Sequence, residues 1–495
     1  MRILFASSEA HGLVKTGGLA DVSASLPAAL RRRKQDVRLV LPAYPDARRN
    51  LADPAEHPGP DGAPWRIIAG HLPGTRVPVY LIDWPEYFER AGNPYSASNG
   101  MDWPDNAQRF AGFARAVVAL ARDEAGLDWA PDLVHANDWQ SALVPLLLDP
   151  ARGGRARPRT VFTIHNLAYQ GLFPASTLHD LGLPPDLWHP EGMEFHGRLS
   201  FMKAGLLFSD LVTTVSPTYA REIQLPGSGM GLDGVLRARS HVLHGILNGV
   251  DYREWDPSRD RLIAARYSAD KLAGKAANKA ALQKRLGLDP DPDIPLLGHV
   301  GRMVKQKGVD LIHATCAPLL AAGRIQLALV GSGQRDLEDA SGALARAYPG
   351  RVGVHVGYDE PLAHQVEAGA DLFLMPSRFE PCGLNQLYSL RYGTPPVVHA
   401  TGGLADTVVD ASAENIAAGI ATGFSFTPDT AASLGHALER ALALHTARAD
   451  GRWEALMRTG MARDFSWTAS AGAYLALYRE LVPGRERRTK SASAL

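Results

Sequence analysis

Lys15-Thr16-Gly17-Gly18-Leu19-Ala20-Asp21 lies near the start of the chain, and six of its residues return in order as Thr401-Gly402-Gly403-Leu404-Ala405-Asp406. Each copy follows a short apolar run that reads as a strand, and each precedes a helical stretch. A glycine-rich turn of this kind leaves N–H groups open at a helix N-terminus, where an anion can bind. The other reading is a turn glycine pair repeated by ancient duplication. Lys15 distinguishes the first copy, because a lysine just before the helix start adds a full charge to the helix dipole.

Outward from the two copies, short runs rich in Val, Ile and Leu alternate with longer helix-like segments, the pattern of parallel-sheet units with helical crossovers. In the first half the predicted strands are 2–7, 37–42, 77–83, 133–136, 160–164 and 211–215. In the second they are 296–301, 327–331, 352–357, 372–376 and 396–399. Predicted helices include 106–125, 309–322 and 431–445. Between the halves, residues 251–295 carry Asp256-Pro257 and the cluster Pro290, Pro292, Pro295, whose missing N–H groups oppose regular elements. The expected fold class is therefore α/β. Two Rossmann-like, doubly wound parallel-sheet domains, 1–250 and 251–464, face each other across a cleft, followed by a terminal segment, 465–495. Ligands bind beyond the carboxyl ends of such strands, so the cleft is the expected active site.

A length of 495 residues fits two or three domains at roughly 100 to 200 residues each. Hydrophobic residues at 45% and charged residues at 21% are ordinary for a globular protein and exclude a disordered or fibrous chain. Lys+Arg and Asp+Glu both number 52, so no global field exists to hold a nucleic acid or an anionic membrane surface, and neither is an expected partner. Any anion must be bound by a local site. Cys316 and Cys382 are the two cysteines, too few for a disulfide framework or a cysteine zinc cluster, and a reducing cytoplasm fits best. The apolar run at the N-terminus meets Glu9 too soon for a signal peptide, and no apolar run reaches the roughly 18 residues of a membrane span. The basic run from Arg485 to Lys490 reads as a solvated terminus.

Several further blocks accompany the first glycine copy: His135-Ala136-Asn137-Asp138-Trp139, Thr163-Ile164-His165-Asn166, Asn248-Gly249-Val250-Asp251, Gly301-Arg302 to Lys307-Gly308, Arg378-Phe379-Glu380-Pro381-Cys382-Gly383-Leu384 and Phe465-Ser466-Trp467. Together with Lys15 to Val22 they resemble bacterial glycogen synthases and plant starch synthases, retaining glucosyltransferases of GT-B architecture, over essentially the whole chain. The resemblance implies transfer of glucose from ADP-glucose to the non-reducing 4-hydroxyl of glycogen or another α-1,4-glucan, with retention and release of ADP. It implies that Glu380 sits against the donor glucose and that the Cys382-Gly383-Leu384 backbone holds sugar hydroxyls and phosphate oxygens. It also implies that the last helix crosses back to the first domain. Related glycosyltransferases carry a second glutamate eight positions after the first; Tyr388 stands there, which agrees with the glycogen and starch synthase branch.

The residues themselves support a transfer site. Arg302 and Lys307 follow a strand end within one loop, and two cations there suit a departing diphosphate, whose charge grows in the transition state. No Asp-x-Asp motif lies at a predicted strand end; Asp289-Pro290-Asp291 reads as a turn. Lys15, Arg302 and Lys307 are then expected to replace a catalytic metal, and no cofactor is expected. Glu380, on the loop after the strand 372–376, can face a bound sugar, although a charge at a helix start is the simpler alternative. Cys382 reads as a small side chain admitting the sugar. His165 and Asn166 end a strand toward the cleft, where a histidine can bond a sugar hydroxyl or be a buried structural group. Asp138 and Asn248 can each meet two hydroxyls. Tyr358, after the strand 352–357, is a candidate platform for adenine, and Tyr95 and Trp139 for the incoming glucan, with core packing the alternative for the tryptophan. Gly17, Gly18 and Asp21 complete the candidate set. Gly331-Ser332-Gly333 opens like a dinucleotide fingerprint, but Asp336 occupies the place of the third glycine and argues against an NAD enzyme. The remaining rivals are a related transferase using UDP-glucose or another acceptor, and a glucan-binding protein without turnover.

Overall fold

The computed structural model describes residues 1–153 and 157–483. It contains two compact units, one made of Met1–Gly249 and the helix Trp467–Leu481, the other of Val250–Ser466. The basic run from Arg485 to Lys490 lies outside the described residues.

The first unit contains β1 (Arg2–Ala6), β2 (Asp36–Pro42), β3 (Ala52–His57), β4 (Arg66–His71), β5 (Pro78–Asp83), β6 (Leu133–Asn137), β7 (Arg159–Ile164), β8 (Leu172–Pro174), β9 (Glu194–Phe195), β10 (Arg198–Ser200), β11 (Leu211–Thr214) and β12 (Leu243–Gly245). Among the described residues, nine of these form one sheet in the order β12-β11-β7-β6-β1-β2-β5-β4-β3, and β8–β10 form a small antiparallel sheet. The central strands are parallel and buried on both faces, which is why they read as continuous apolar runs. Phe5 stands opposite Leu39 on one side and His135 on the other. From β1 the chain winds outward through β2, and from β6 it winds the other way through β7 and β11. The topological switch point therefore lies between β1 and β6, where Glu9 and Asp138 follow the strand ends.

The antiparallel edge, β3 and β4, departs from the expected all-parallel reading. Five of the six β3 residues are exposed, so no apolar alternation marks the strand. The helix Trp467–Leu481 completes this unit by burying Tyr474 and Tyr478 in its core and packing on the helix Gly18–Arg32. Gly249 is needed beside it, because a Cβ there would come 2.6 Å from the Trp467 backbone nitrogen.

The second unit contains β13 (Leu296–Val300), β14 (Gln326–Gly331), β15 (Val352–Val356), β16 (Leu372–Met375), β17 (Pro396–His399) and β18 (Phe424–Phe426), parallel in the order β15-β14-β13-β16-β17-β18. Its switch point lies between β13 and β16. Residues 251–295 are not the irregular connection expected from their prolines. Gly274–Leu286 is a helix of Ala, Lys, Leu and Gln, closed by Gly287 in the left-handed region at φ 67°. The prolines bound it without interrupting it. Lys275 is buried and donates to Thr394 Oγ1 at 2.6 Å, which packs the segment into the second unit.

Candidate active site

In the second unit, β13 runs into Gly301-Arg302 and a tight turn over Lys305–Lys307 before the helix Val309–Ala321. Gly308, at φ 70°, joins turn to helix; a Cβ on it would come 2.2 Å from the Pro376 carbonyl oxygen. The turn can therefore lie against the end of β16 only without a side chain. Arg378 holds the two loops together, donating its amide to the Gln306 carbonyl (2.8 Å) and its guanidinium to both oxygens of Asp310 (2.7 and 2.9 Å). Nζ of Lys307 is thereby placed 2.5 Å from Oε2 of Glu380, which also accepts from Ser377 Oγ at 3.0 Å. Glu380 is only 6% exposed. Its carboxylate takes one of the three ammonium donors of Lys307 and fixes the direction of the charge. Arg302 is exposed and donates to Gln306 at 3.3 Å.

The second glycine copy backs this loop. A Cβ on Gly402 (φ 46°) would come 2.0 Å from the Glu380 carbonyl oxygen, and one on Gly403 2.1 Å from that of Cys382. The Gly403 amide donates to the Glu380 carbonyl (3.1 Å). Its glycines thus admit the protein's own chain. Cys382 is buried, Gly383 adopts φ 72°, and Leu384 precedes the short helix Asn385–Arg391. His299, absent from the sequence-based candidates, lies on β13 with Nδ1 2.9 Å from the Leu374 carbonyl, and burial pushes its imidazole down to about 4. Its place two residues before Gly301-Arg302 was the signal that could have found it.

The first copy is built differently. A Cβ on Gly17 would meet nothing within 4 Å, and the residue is extended at φ −157°. Neither strain nor a protein neighbour calls for glycine there, so the space before the helix Gly18–Arg32 is open to something else. Glu9, also missed from the sequence, organises the loop from beneath. Its Oε2 accepts the amides of Thr16 (2.5 Å) and Gly17 (3.1 Å), and its Oε1 accepts the hydroxyls of Thr16 (2.9 Å) and Tyr95 (2.8 Å). Burial raises the Glu9 pKa against the lowering effect of these bonds. Lys15 Nζ donates to Asp21 Oδ1 at 2.8 Å, and His11 Nδ1 lies 3.1 Å from the same atom. A cavity of about 510 Å³ beside the loop is lined by Lys15, Thr16, Tyr44, Arg49, Arg90 and Arg109, among others.

At the end of β7, His165 Nε2 donates to Asn137 Oδ1 (2.9 Å), a direction set by Asn137 Nδ2 donating to the Ala6 carbonyl. Burial depresses the His165 pKa to about 3, so the ring is neutral and Nδ1 is its acceptor. Asp138 sits in the left-handed region at φ 53° and turns its carboxylate onto the His165 amide (2.7 Å). Burial raises its pKa to about 7. One Asp138 oxygen thus serves a strand-end amide, a positioning contact beside the expected pairing with sugar hydroxyls. Asn166 likewise accepts from the Ala168 amide within its own turn (3.0 Å). Trp139 is 9% exposed and packs among Phe110, Phe173 and Phe201, so the core-packing alternative is the one realised and it offers no face to a glucan. Tyr95 is half-buried, with its hydroxyl on Glu9 and Ser8 and its ring near Phe110. Asn248 is buried with Oδ1 lacking a hydrogen-bond partner. Tyr358 stands beyond the edge strand β15 at 76% exposure, its hydroxyl donating to Glu360 at 2.9 Å. Among the described residues no helix is long and apolar enough to cross a membrane.

A family model described as the starch synthase catalytic domain matches residues 2–238, and one described as glycosyl transferases group 1 matches residues 282–452. The catalytic domain of starch synthase IV from Arabidopsis thaliana, solved with ADP and acarbose, is similar at TM-score 0.86 and 35% identity over 97% of this chain and 99% of that one. Sucrose-phosphate synthase from Thermosynechococcus elongatus shares the fold at TM-score 0.59 and 21% identity. With two doubly wound units and a charged loop at each switch point, the chain is a glycosyltransferase of GT-B architecture. Curated relatives sharpen the assignment. The glycogen synthase of Thioalkalivibrio sulfidiphilus is 60% identical over 97% of this chain and 100% of its own length, and that of Alkalilimnicola ehrlichii is 57% identical over 98% and 99%. The chain belongs to the glycogen synthase family.

Proposed function

We propose that this enzyme transfers glucose from ADP-glucose to the non-reducing 4-hydroxyl of an α-1,4-glucan with retention of configuration. The bond from glucose C1 to the diphosphate oxygen breaks, a bond from C1 to the acceptor O4 forms as O4 gives up its proton to the departing diphosphate or solvent, and ADP is released. The observation that carries the reading is the Lys307–Glu380 pair at the switch point of the second sheet. In this reading Arg302 and Lys307 meet the negative charge that develops on the leaving diphosphate, and Glu380 keeps Lys307 aimed there. Gly17 lets the nucleotide-sugar approach the backbone at the helix start, with Lys15 beside it. His165 accepts a sugar hydroxyl through Nδ1, the unpartnered Oδ1 of Asn248 accepts another, and Tyr358 stacks on adenine. The loop backbone from Cys382 to Leu384 lines the sugar. A chain with two cysteines, Cys316 and Cys382, both buried, supports a reducing cytoplasm as the setting.

The test is turnover of the purified chain with ADP-glucose or UDP-glucose, glycogen present and divalent ions chelated. Transfer from ADP-glucose that survives chelation is expected. Transfer from UDP-glucose alone would overturn the donor assignment, and a requirement for added magnesium would overturn the role given to the cations.

A further inference from the structure

The second unit holds another cluster of polar side chains that the transfer reaction leaves unused. Glu360 and His364 stand one turn apart on the helix Glu360–Gly369 and so leave from one face. Glu254, from the segment that opens the unit, joins them. One carboxylate oxygen from each glutamate and an imidazole nitrogen of His364 lie within 4.8 Å of one another. Both glutamates are half-buried, and His364 is 1% exposed.

The orientation of the imidazole is fixed from three sides. Nδ1 lies 2.8 Å from Asp260 Oδ2, an atom that also accepts the Tyr392 hydroxyl at 2.6 Å. Trp255 stacks on the ring at 3.8 Å between centroids and 16° between planes, and Tyr388 stacks on Trp255 at 3.8 Å and 3°. Facing a carboxylate that is already an acceptor, Nδ1 directs its hydrogen to Asp260, and the other ring nitrogen, Nε2, is buried with no hydrogen-bond partner. Glu360 accepts the Tyr358 hydroxyl at 2.9 Å and still brings a carboxylate oxygen into the group.

We propose that Glu254, Glu360 and His364 bind a divalent transition-metal ion of the zinc type, with water completing the shell. A histidine whose other ring nitrogen donates to a carboxylate is the usual form of a metal-bound imidazole, and Asp260 fills that place. One nitrogen and two carboxylate ligands suit zinc better than magnesium or calcium, which take oxygen alone. Around tetrahedral zinc the ligand atoms would lie about 3.4 Å apart, so closure by small side-chain rotations suffices. The ion would tie the opening segment of the unit to the helix Glu360–Gly369. This site contains none of the groups assigned to glucose transfer, so its occupancy is separate from the question of a catalytic metal.

The experiment uses the full chain, stripped with chelator, dialysed, and titrated with Zn²⁺ by calorimetry, with Co²⁺ as a visible-absorption probe. One equivalent of zinc is expected, with cobalt bands of a low-coordinate nitrogen–oxygen site and a zinc-dependent rise in Tm. Glu254→Gln and Glu360→Gln, which keep the hydrogen bond from His364 to Asp260, should each weaken binding by about 10-fold to 100-fold. Glu254→Gln should also remove the Tm response. Absence of saturable binding, or wild-type affinity in both variants, would overturn the proposal. Neither readout depends on transferase activity.

Discussion

Nζ of Lys307 lies 2.5 Å from Oε2 of Glu380, although the two residues belong to different loops after different strands. The contact exists because β13 and β16 are neighbours at the switch point and Gly308 lets the first loop press on the second. A cation held by a buried carboxylate is preorganised, so in the proposed reaction its interaction with the departing diphosphate would cost little reorganisation. Lys307→Ala should lower kcat by about 10² to 10³ with a smaller change in donor KM. Steady-state kinetics with ADP-glucose checks this, and a change confined to KM would move Lys307 to ground-state binding.

The two glycine copies make a paired prediction. Gly402→Ala places a methyl group 2.0 Å from the Glu380 carbonyl in a left-handed backbone, which costs at least about 1 to 2 kcal/mol before the loop is displaced. Its Tm and its kcat should both fall. Gly17→Ala meets no protein atom within 4 Å, so its Tm should stay within about 2 °C of wild type while donor KM rises. Equal thermal losses in the two variants would contradict the distinction.

Tyr95 tests whether its ring or its hydroxyl matters. Tyr95→Phe keeps the ring and removes the bonds to Glu9 and Ser8, at a cost of about 1 kcal/mol. Because Glu9 holds the Thr16 and Gly17 amides, donor KM should rise while glycogen KM stays unchanged. An unchanged donor KM together with weaker glycogen use in Tyr95→Ala would return Tyr95 to the acceptor path.

Acid should destabilise the fold through its buried histidines. Burial holds His135 at about 3 and His299 at about 4, against about 6.5 in the unfolded chain. Below pH 6.5 the unfolded state binds protons that the native state cannot, so stability is full above that pH and falls toward acid. Each histidine contributes a slope of up to about 1.4 kcal/mol per pH unit. Asp138, raised to about 7, acts with the opposite sign, since its native form keeps a proton that the unfolded form gives up. His299→Asn can still donate to the Leu374 carbonyl and should remove one histidine's share of the slope. Denaturant unfolding between pH 5 and 6.5 measures it, and an unchanged slope would show that His299 is not a contributor.

The strands at the centre of both sheets were legible because a parallel strand covered on both faces is an unbroken apolar run. β3 and β4 were not, since an exposed edge strand has no such run, and β12 and β18, at three residues each, are too short to show a period. The proline-flanked helix Gly274–Leu286 was hidden for a different reason: prolines at its borders were read as opposing all regular structure, while its own residues favour a helix. At the site, Lys307, Glu380 and Gly17 stood out as motif residues. Glu9 and His299 did not, because a single titratable residue near a strand end has no pattern until its partners are known.

Sequence by itself determined the central elements and the fold class, because propensity, periodicity and glycine freedom act over a few neighbouring residues. It also determined the family, through blocks spread from Lys15 to Trp467. Only the tertiary structure decided what each motif residue touches. The two Thr-Gly-Gly-Leu-Ala-Asp segments are identical in sequence, yet one is filled by the Glu380–Cys382 backbone and the other faces open space. Likewise Tyr478 and His135, 343 positions apart, meet at 2.6 Å, which makes the last helix part of the first unit. Such contacts are set by how layers pack, and no local rule of the chain encodes them.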